Sequence, residues 1–216
     1  MNPQRRTFIG TLAASAGTAT APAFAQRRAP DAGIDYKVLD APQPVETAGK
    51  IEVMEFFWYG CPHCNAFEPP LSAWIKRLPD DVAFRRLPAQ FNALWAQHAK
   101  LYYALEAVGA IETSHRKSFE AIHVGGMQLS QEPDMIDWAA KNGIDRDRFA
   151  GALRSDGVAV KMVAARQALI AYKIDGVPAM AVNGRFLTAP SIAGSHERCL
   201  QVVDFLVEQE RRGKRA

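Results

Sequence analysis

The chain of 216 residues has little cysteine: only Cys61, Cys64 and Cys199. A small disulfide-stapled scaffold needs a dense, even set, so that class is excluded. No stretch reaches the roughly 18 uninterrupted apolar residues that a membrane-spanning helix needs. No repeat of fixed period appears, which excludes solenoids and propellers. There is also no strong excess of one charge, with 26 Lys and Arg against 23 Asp and Glu. That balance argues against a nucleic-acid binder, whose affinity rests on many basic side chains at phosphates. What is present, 48% hydrophobic and 23% charged residues, is an ordinary globular mixture. Such a chain can bury a full core and is neither collagen-like nor intrinsically disordered.

Residues 1–25 read as an export signal. Arg5 and Arg6 form a basic start, a weakly apolar stretch runs from Phe8 to about Ala21, and Ala23-Phe24-Ala25 fits a small-x-small cleavage site. Arg5-Arg6 followed by Thr7-Phe8-Ile9 fits a twin-arginine signal, and a general secretory signal fits as well. Cleavage would start the mature chain at Gln26, leaving 24 basic against 23 acidic residues, because Arg5 and Arg6 are the only charges removed. Residues 26–35 are then expected to form a flexible arm.

From Lys50 to Trp58 an apolar run with β-branched and aromatic residues predicts a buried strand. Cys61-Pro62-His63-Cys64 opens a helix towards Arg77, with Pro62 tolerated in the first turn and Pro69-Pro70 expected to kink it. Val82 to Leu87 reads as a second strand, parallel to the first through a right-handed crossover. Helices are predicted over 94–108, 113–123, 145–154 and 158–172, and another after Ser130, its possible cap, as far as Asn142-Gly143. Asn183-Gly184 between two short strands, 179–182 and 185–188, signals a type I′ hairpin. A closing helix is expected over 196–209, before a charged end.

The chemistry sits at Cys61-Pro62-His63-Cys64, a strand-to-helix junction in an exported chain. The first cysteine of such a pair lies where free backbone N–H groups and the helix dipole favour an anion. His63 adds a donor and, when protonated, a positive charge. A stabilised Cys61 thiolate makes the Cys61–Cys64 disulfide more oxidising.

The run Glu55-Phe56-Phe57-Trp58-Tyr59-Gly60 before this pair, the helical block, and Gly176-Val177-Pro178-Ala179 about 115 residues later together resemble the DsbA family of periplasmic thiol:disulfide oxidases. The resemblance covers about Tyr36 to Gln209. It implies an α/β thioredoxin-like fold with an inserted α-helical domain: thioredoxin-like parts at 36–92 and 173–210, the insertion at 93–172, and a charged tail at 211–216. It implies that Cys61 is the exposed nucleophile and Cys64 its buried partner, with Pro62 and His63 tuning the thiolate. It places Val177 and a cis Pro178 beside the dithiol as a substrate-binding edge, and Glu55 as a proton relay. Arg86 stands where the family usually carries a lysine, and an arginine cannot release its proton. No cofactor is implied, because the dithiol is the redox group. The implied partners are unfolded exported proteins with free thiols and a membrane quinone reductase of the DsbB type, with no nucleic acid and with the protein acting as a monomer in the periplasm. A reductase or isomerase on the same fold, and a peptide-binding or zinc-stabilised module, are the alternatives. His196 and Cys199 with the Cys61–Cys64 pair would formally supply four zinc ligands.

Other residues carry weaker expectations. Glu52 is expected at a solvated edge, and Cys199 as a buried free thiol in an amphipathic helix. Trp95, Tyr102, Tyr103 and Leu105 read as a core stripe. His98, His115 and His123 read as ordinary surface or core residues. Met127 and Met180 fit either a peptide groove or plain packing, and Trp58 and Tyr59 either an exposed rim or a packed one.

Overall fold

The computed structural model describes residues 28–213. The expected export signal, 1–25, lies outside the described residues, as do 26–27 and 214–216 of the arm and tail. Among the described residues no helix is long and apolar enough to cross a membrane.

Among the described residues five strands form one mixed sheet: β1 (Lys37–Val38), β2 (Ile51–Phe57), β3 (Val82–Pro88), β4 (Ala179–Val182) and β5 (Phe186–Thr188). Their order is β1-β5-β4-β2-β3. β2 pairs parallel with β3, in register Glu55 to Arg86, and antiparallel with β4, where Glu55 stands opposite Met180. All seven β2 residues are buried, as expected for a strand covered on both faces. The period of two sends Ile51 and Val53 to one core and Met54 and Phe56 to the other.

The first core lies under α1 (Pro62–Ile75) and α8 (His196–Gly213), where Phe67, Leu71 and Trp74 meet Val203 and Leu206. The second lies under five helices interposed between β3 and β4. These are α2 (Ala93–Ala107), α3 (Ile111–His123), α4 (Glu132–Lys141), α5 (Arg146–Leu153) and α6 (Asp156–Ala171). Each fully buried large apolar side chain in these cores contributes about 1.5–3 kcal/mol. Asn92, Asp145 and Ser155 cap α2, α5 and α6 through their side-chain oxygens.

Some details depart from expectation. α4 has Gln131 at its N-cap with no side-chain bond, so Ser130 does not cap it. Helix α1, by contrast, runs to Ile75 with Pro69 and Pro70 inside it, as expected. α8 runs on to Gly213, into the segment read as tail. The short β1 and the four-residue α7 (Pro190–Ala193) carry no periodic signal that sequence reasoning could use. The segment read as a flexible arm is anchored from Arg28 onward. Asp35 is buried, accepts the Asp31 N–H at 2.9 Å, and pairs with Arg28 at 3.3 Å and Arg198 at 3.2 Å.

Candidate active site

The dithiol stands where β2 gives way to α1. Cys61 is the N-cap of α1, and its sulfur accepts the Cys64 backbone N–H at 3.4 Å, the place a serine or aspartate oxygen usually fills. Pro62 occupies the first helical turn, where no donor is lost. Both cysteines are free thiols, and both are buried: Cys61, which the resemblance implies to be exposed, is 7% exposed.

The two sulfurs differ in environment. The hydrogen bond from the Cys64 thiol is the largest influence on Cys61. Burial opposes it, and the backbone N–H groups of Cys64 and His63 and the His63 charge assist it. Together they bring Cys61 from an ordinary 9 down to about 6. Cys64 is fully buried, and burial, the Cys61 sulfur and the Glu55 carboxylate all raise it well above the ordinary thiol range. At neutral pH the dithiol therefore carries its charge on Cys61 and its proton on Cys64.

Across from the helix start, the Val177-Pro178 peptide bond is cis, and the Val177 carbonyl lies 3.5 Å from the Cys61 sulfur. Beside this edge opens a groove of about 650 Å³, lined by His63, Ile174, Val177, Pro178, Ile192 and His196, among others. The exposed His63 thus borders both the dithiol and the groove.

Glu55 is 1% exposed on the face of β2 that meets α1 and α8. Arg86, its register partner on β3, donates from Nε to Glu55 at 3.1 Å. The same guanidinium donates from Nη2 to Glu68 at 2.7 Å, so one cation serves two carboxyl groups. Burial raises Glu55 to about 8 against the pull of Arg86, with the Glu68 charge adding to the rise. Burial also opposes ionisation of Glu68, but hydrogen bonds from His115 and Ser72 and the Arg86 charge bring it down to about 2.

Sequence reasoning missed Glu68, His115 and the role of Tyr59 in this cluster. One signal was available: Glu68 follows Cys64 by four residues, so the two share a helix face. His115 comes from α3, and no local pattern links it to the dithiol. Its Nε2 lies 3.3 Å from Glu68 and its Nδ1 3.0 Å from the Tyr59 hydroxyl. The rings of Phe57, Tyr59, Tyr102 and Phe119 enclose it, and burial brings it down to about 4, hence neutral at pH 7. The partners fix the tautomer: Nε2–H donates to Glu68, and Nδ1 accepts from Tyr59.

One expectation is corrected, and several open readings are resolved. Glu52 is not at a solvated edge; it is 2% exposed, paired with Arg85 at 3.2 Å and accepting the Glu46 N–H at 2.9 Å. It faces the second core because β2 is covered on both sides. Met180 is fully buried in the sheet and does not line the groove. Trp58 is half-buried, stacked on Trp95 at 4.2 Å, whereas Tyr59 is fully buried. His98 bonds the Gln128 carbonyl and His123 the Tyr59 carbonyl, each at 2.8 Å. Cys199 is buried, and burial raises it to about 12. His196 packs against the Phe67 ring, and among the described residues no group of three or more His, Cys, Asp or Glu is placed to hold a metal ion.

Residues 83–198 match the family model of the DSBA-like thioredoxin domain. The thiol:disulfide interchange protein DsbA of Azotobacter vinelandii is 47% identical over 179 residues, covering 83% of this chain and 84% of that protein. The crystal structure of Pseudomonas aeruginosa DsbA superposes with a TM-score of 0.83 at 40% identity, covering 85% of this chain and 96% of that one. The oxidoreductase DsbA from Xylella fastidiosa gives a TM-score of 0.81 at 34% identity, covering 86% and 100%. The α/β thioredoxin-like fold with its helical insertion is thus shared with these proteins, and the chain belongs to the DsbA family of thiol:disulfide interchange proteins, which are protein-disulfide oxidoreductases.

Proposed function

We propose that Cys61 and Cys64 are the redox pair and that they donate their disulfide to unfolded exported proteins in the periplasm, the protein acting as a monomer. The observation that carries this reading is the inequality of the two sulfurs, one favoured as thiolate and the other held as thiol. A substrate thiolate attacks the Cys61 sulfur of the oxidised pair. The Cys61–Cys64 bond breaks, its electron pair leaves on Cys64, and a bond from Cys61 to the substrate sulfur forms. A second substrate thiolate attacks the substrate sulfur of this mixed disulfide, and Cys61 departs as a thiolate. The substrate loses two electrons and the protein dithiol gains them.

A stable leaving thiolate speeds the second step and favours donation over reduction, which supports an oxidase rather than a reductase. The groove beside Val177 and Pro178 supports binding of an extended peptide across the Cys61 sulfur. Glu55 is proposed to pass a proton to the departing Cys64 thiolate, on the support of its burial and its raised affinity for a proton. Reoxidation by a membrane quinone reductase of the DsbB type would return the pair to its disulfide, with no bound cofactor in this chain.

The test is transfer from the oxidised mature protein to a reduced, unfolded peptide with two cysteines. Cys61→Ala is expected to abolish transfer, and Cys199→Ala to leave its rate close to that of the unchanged protein. Transfer persisting in Cys61→Ala would end this reading.

A further inference from the structure

Behind the dithiol, two buried carboxyl groups share one guanidinium, and they are not equally supplied with donors. Glu68 receives three side-chain hydrogen bonds: Arg86 Nη2 at 2.7 Å, the Ser72 hydroxyl at 2.7 Å, and His115 Nε2 at 3.3 Å. Glu55 receives Arg86 Nε at 3.1 Å. The two sites also differ in access. Glu68, Arg86 and His115 line a cleft of about 540 Å³, whereas Glu55 does not reach it.

Two ionised carboxylates beside one arginine would leave a surplus negative charge out of water. A cluster of this kind retains a proton on one of its members. The donors decide which. Each hydrogen bond to a carboxylate favours its charged form, so the better-supplied Glu68 takes the charge and the proton stays on Glu55. Arg86 bonds both groups and discriminates little. Ser72 and His115 bond Glu68 alone.

We propose that His115 is a positioning residue for the dithiol reaction, which, together with Ser72, fixes the cluster's negative charge on Glu68 and so keeps the exchangeable proton on Glu55. Tyr59 completes the device. Its hydroxyl donates to Nδ1, which leaves the hydrogen on Nε2, where Glu68 needs it. Tyr59 is also two residues before Cys61, so the dithiol loop itself sets the histidine tautomer. The inference deepens the proposed relay and rests on it. When the Cys61–Cys64 bond breaks, the Glu55 carboxyl gives its proton to the Cys64 thiolate, leaving a Glu55 carboxylate that later recovers a proton from bulk solvent. A neutral Glu55 at the start is what the step requires.

The groups bearing on Glu55 are Arg86 from β3, Glu68, Cys61 and Cys64 from α1, Tyr102 from α2 and Cys199 from α8, while β4 presents Met180. Of these, only Glu68 and Arg86 are charged throughout the range from pH 6 to 9 in the oxidised protein. Glu68 is therefore ionised before Glu55 begins to titrate, and the donors' hold on the cluster's charge is read at Glu68 itself.

The experiment is carboxyl-carbon NMR titration of the oxidised protein labelled in glutamate, with the Glu68 signal identified by its loss in Glu68→Gln. His115→Leu deletes a donor to Glu68 and is expected to raise the Glu68 midpoint by about one unit, a tenfold change in proton affinity. His115→Gln, which offers an amide donor and an acceptor, is expected to restore part of the shift. An unchanged Glu68 midpoint in folded His115→Leu would overturn the proposal. If that variant does not fold, Ser72→Ala removes another donor from the same carboxylate, and an upward shift supports the proposal while an unchanged midpoint overturns it. The relay is tested apart, by the pH profile of disulfide transfer in Glu55→Gln: a profile identical to that of the unchanged protein would dismiss the relay, whatever the titrations give.

Discussion

Cys61 and Cys64 have the same side chain three residues apart, yet their proton affinities move in opposite directions. The difference is one of position on α1: the cap residue faces free N–H groups, and the residue one turn on faces the core. The favoured charge on Cys61 was legible from the spacing and from Pro62, the buried Cys64 only from the resemblance. Glu55 was legible as a buried acid and the resemblance put Arg86 near it, but whether the two pair is fixed by β2–β3 register rather than by local sequence. Glu52 was misread for a related reason: alternation places it on the opposite face, and only the helices packed there show that this face is buried too. At this scale the ranking of causes gives a prediction. The Cys64 thiol acts on Cys61 more strongly than the His63 charge, and the His63 backbone N–H survives substitution. Cys64→Ala is therefore expected to raise the Cys61 midpoint by more than His63→Ala does, and His63→Ala by less than one unit, or under about 1.4 kcal/mol. Thiolate absorbance against pH measures both, and the reverse order would contradict the ranking.

Among elements, the helices of the insertion were readable because their spacing, caps and stops agree. Asn92, Asp145 and Ser155 each precede an apolar-periodic run and each cap it. Ser130 has the same appearance but stands one residue too early, since Glu132-Pro133 fits the first turn better and leaves Gln131 at the cap. The β4–β5 hairpin follows from Asn183-Gly184, whose φ angles are +50° and +65°. Gly184 has a second duty invisible in the sequence. A Cβ there would lie 2.1 Å from the Gln43 carbonyl oxygen, in a segment whose N–H donates to the Gly184 carbonyl at 2.7 Å. Gly184→Ala combines an unfavourable φ with this collision. It is expected to destabilise the protein by about 2 kcal/mol or more, read from urea unfolding. A loss within about 0.5 kcal/mol, the range of ordinary surface changes, would mean that the 42–44 segment moves aside freely.

For the whole molecule, redox state and stability are linked through the same thiolate. Cys61 ionises more readily folded than unfolded, so its contribution to the reduced form is fully present above its ordinary value of 9 and is lost as pH falls through about 6. The oxidised form has no such group. The stability advantage of reduced over oxidised protein is therefore expected to grow between pH 6 and 8, read as a widening gap between their urea midpoints. A gap independent of pH would contradict the linkage. Glu55 acts in the opposite sense. Its raised proton affinity adds stability below its ordinary value of 4.5, and that contribution fades as pH rises through about 8. His115 adds stability above its ordinary 6.5 that disappears as pH falls through about 4. The order of strands and helices gave the architecture from sequence alone, whereas the assembly of Tyr59, Glu68, Arg86 and His115 depended on α1, β3, α3 and the loop after β2 meeting, and beyond the Cys64–Glu68 spacing it had no linear trace.

The most direct measurement is the ultraviolet titration of the reduced protein, following thiolate absorbance from pH 4 to 9. One sulfur is expected to ionise with a midpoint near 6, with Cys64 and Cys199 silent over that range, and the signal is expected to vanish in Cys61→Ala. A first midpoint between 8 and 9, the range of an ordinary cysteine, would remove the driving force for disulfide donation.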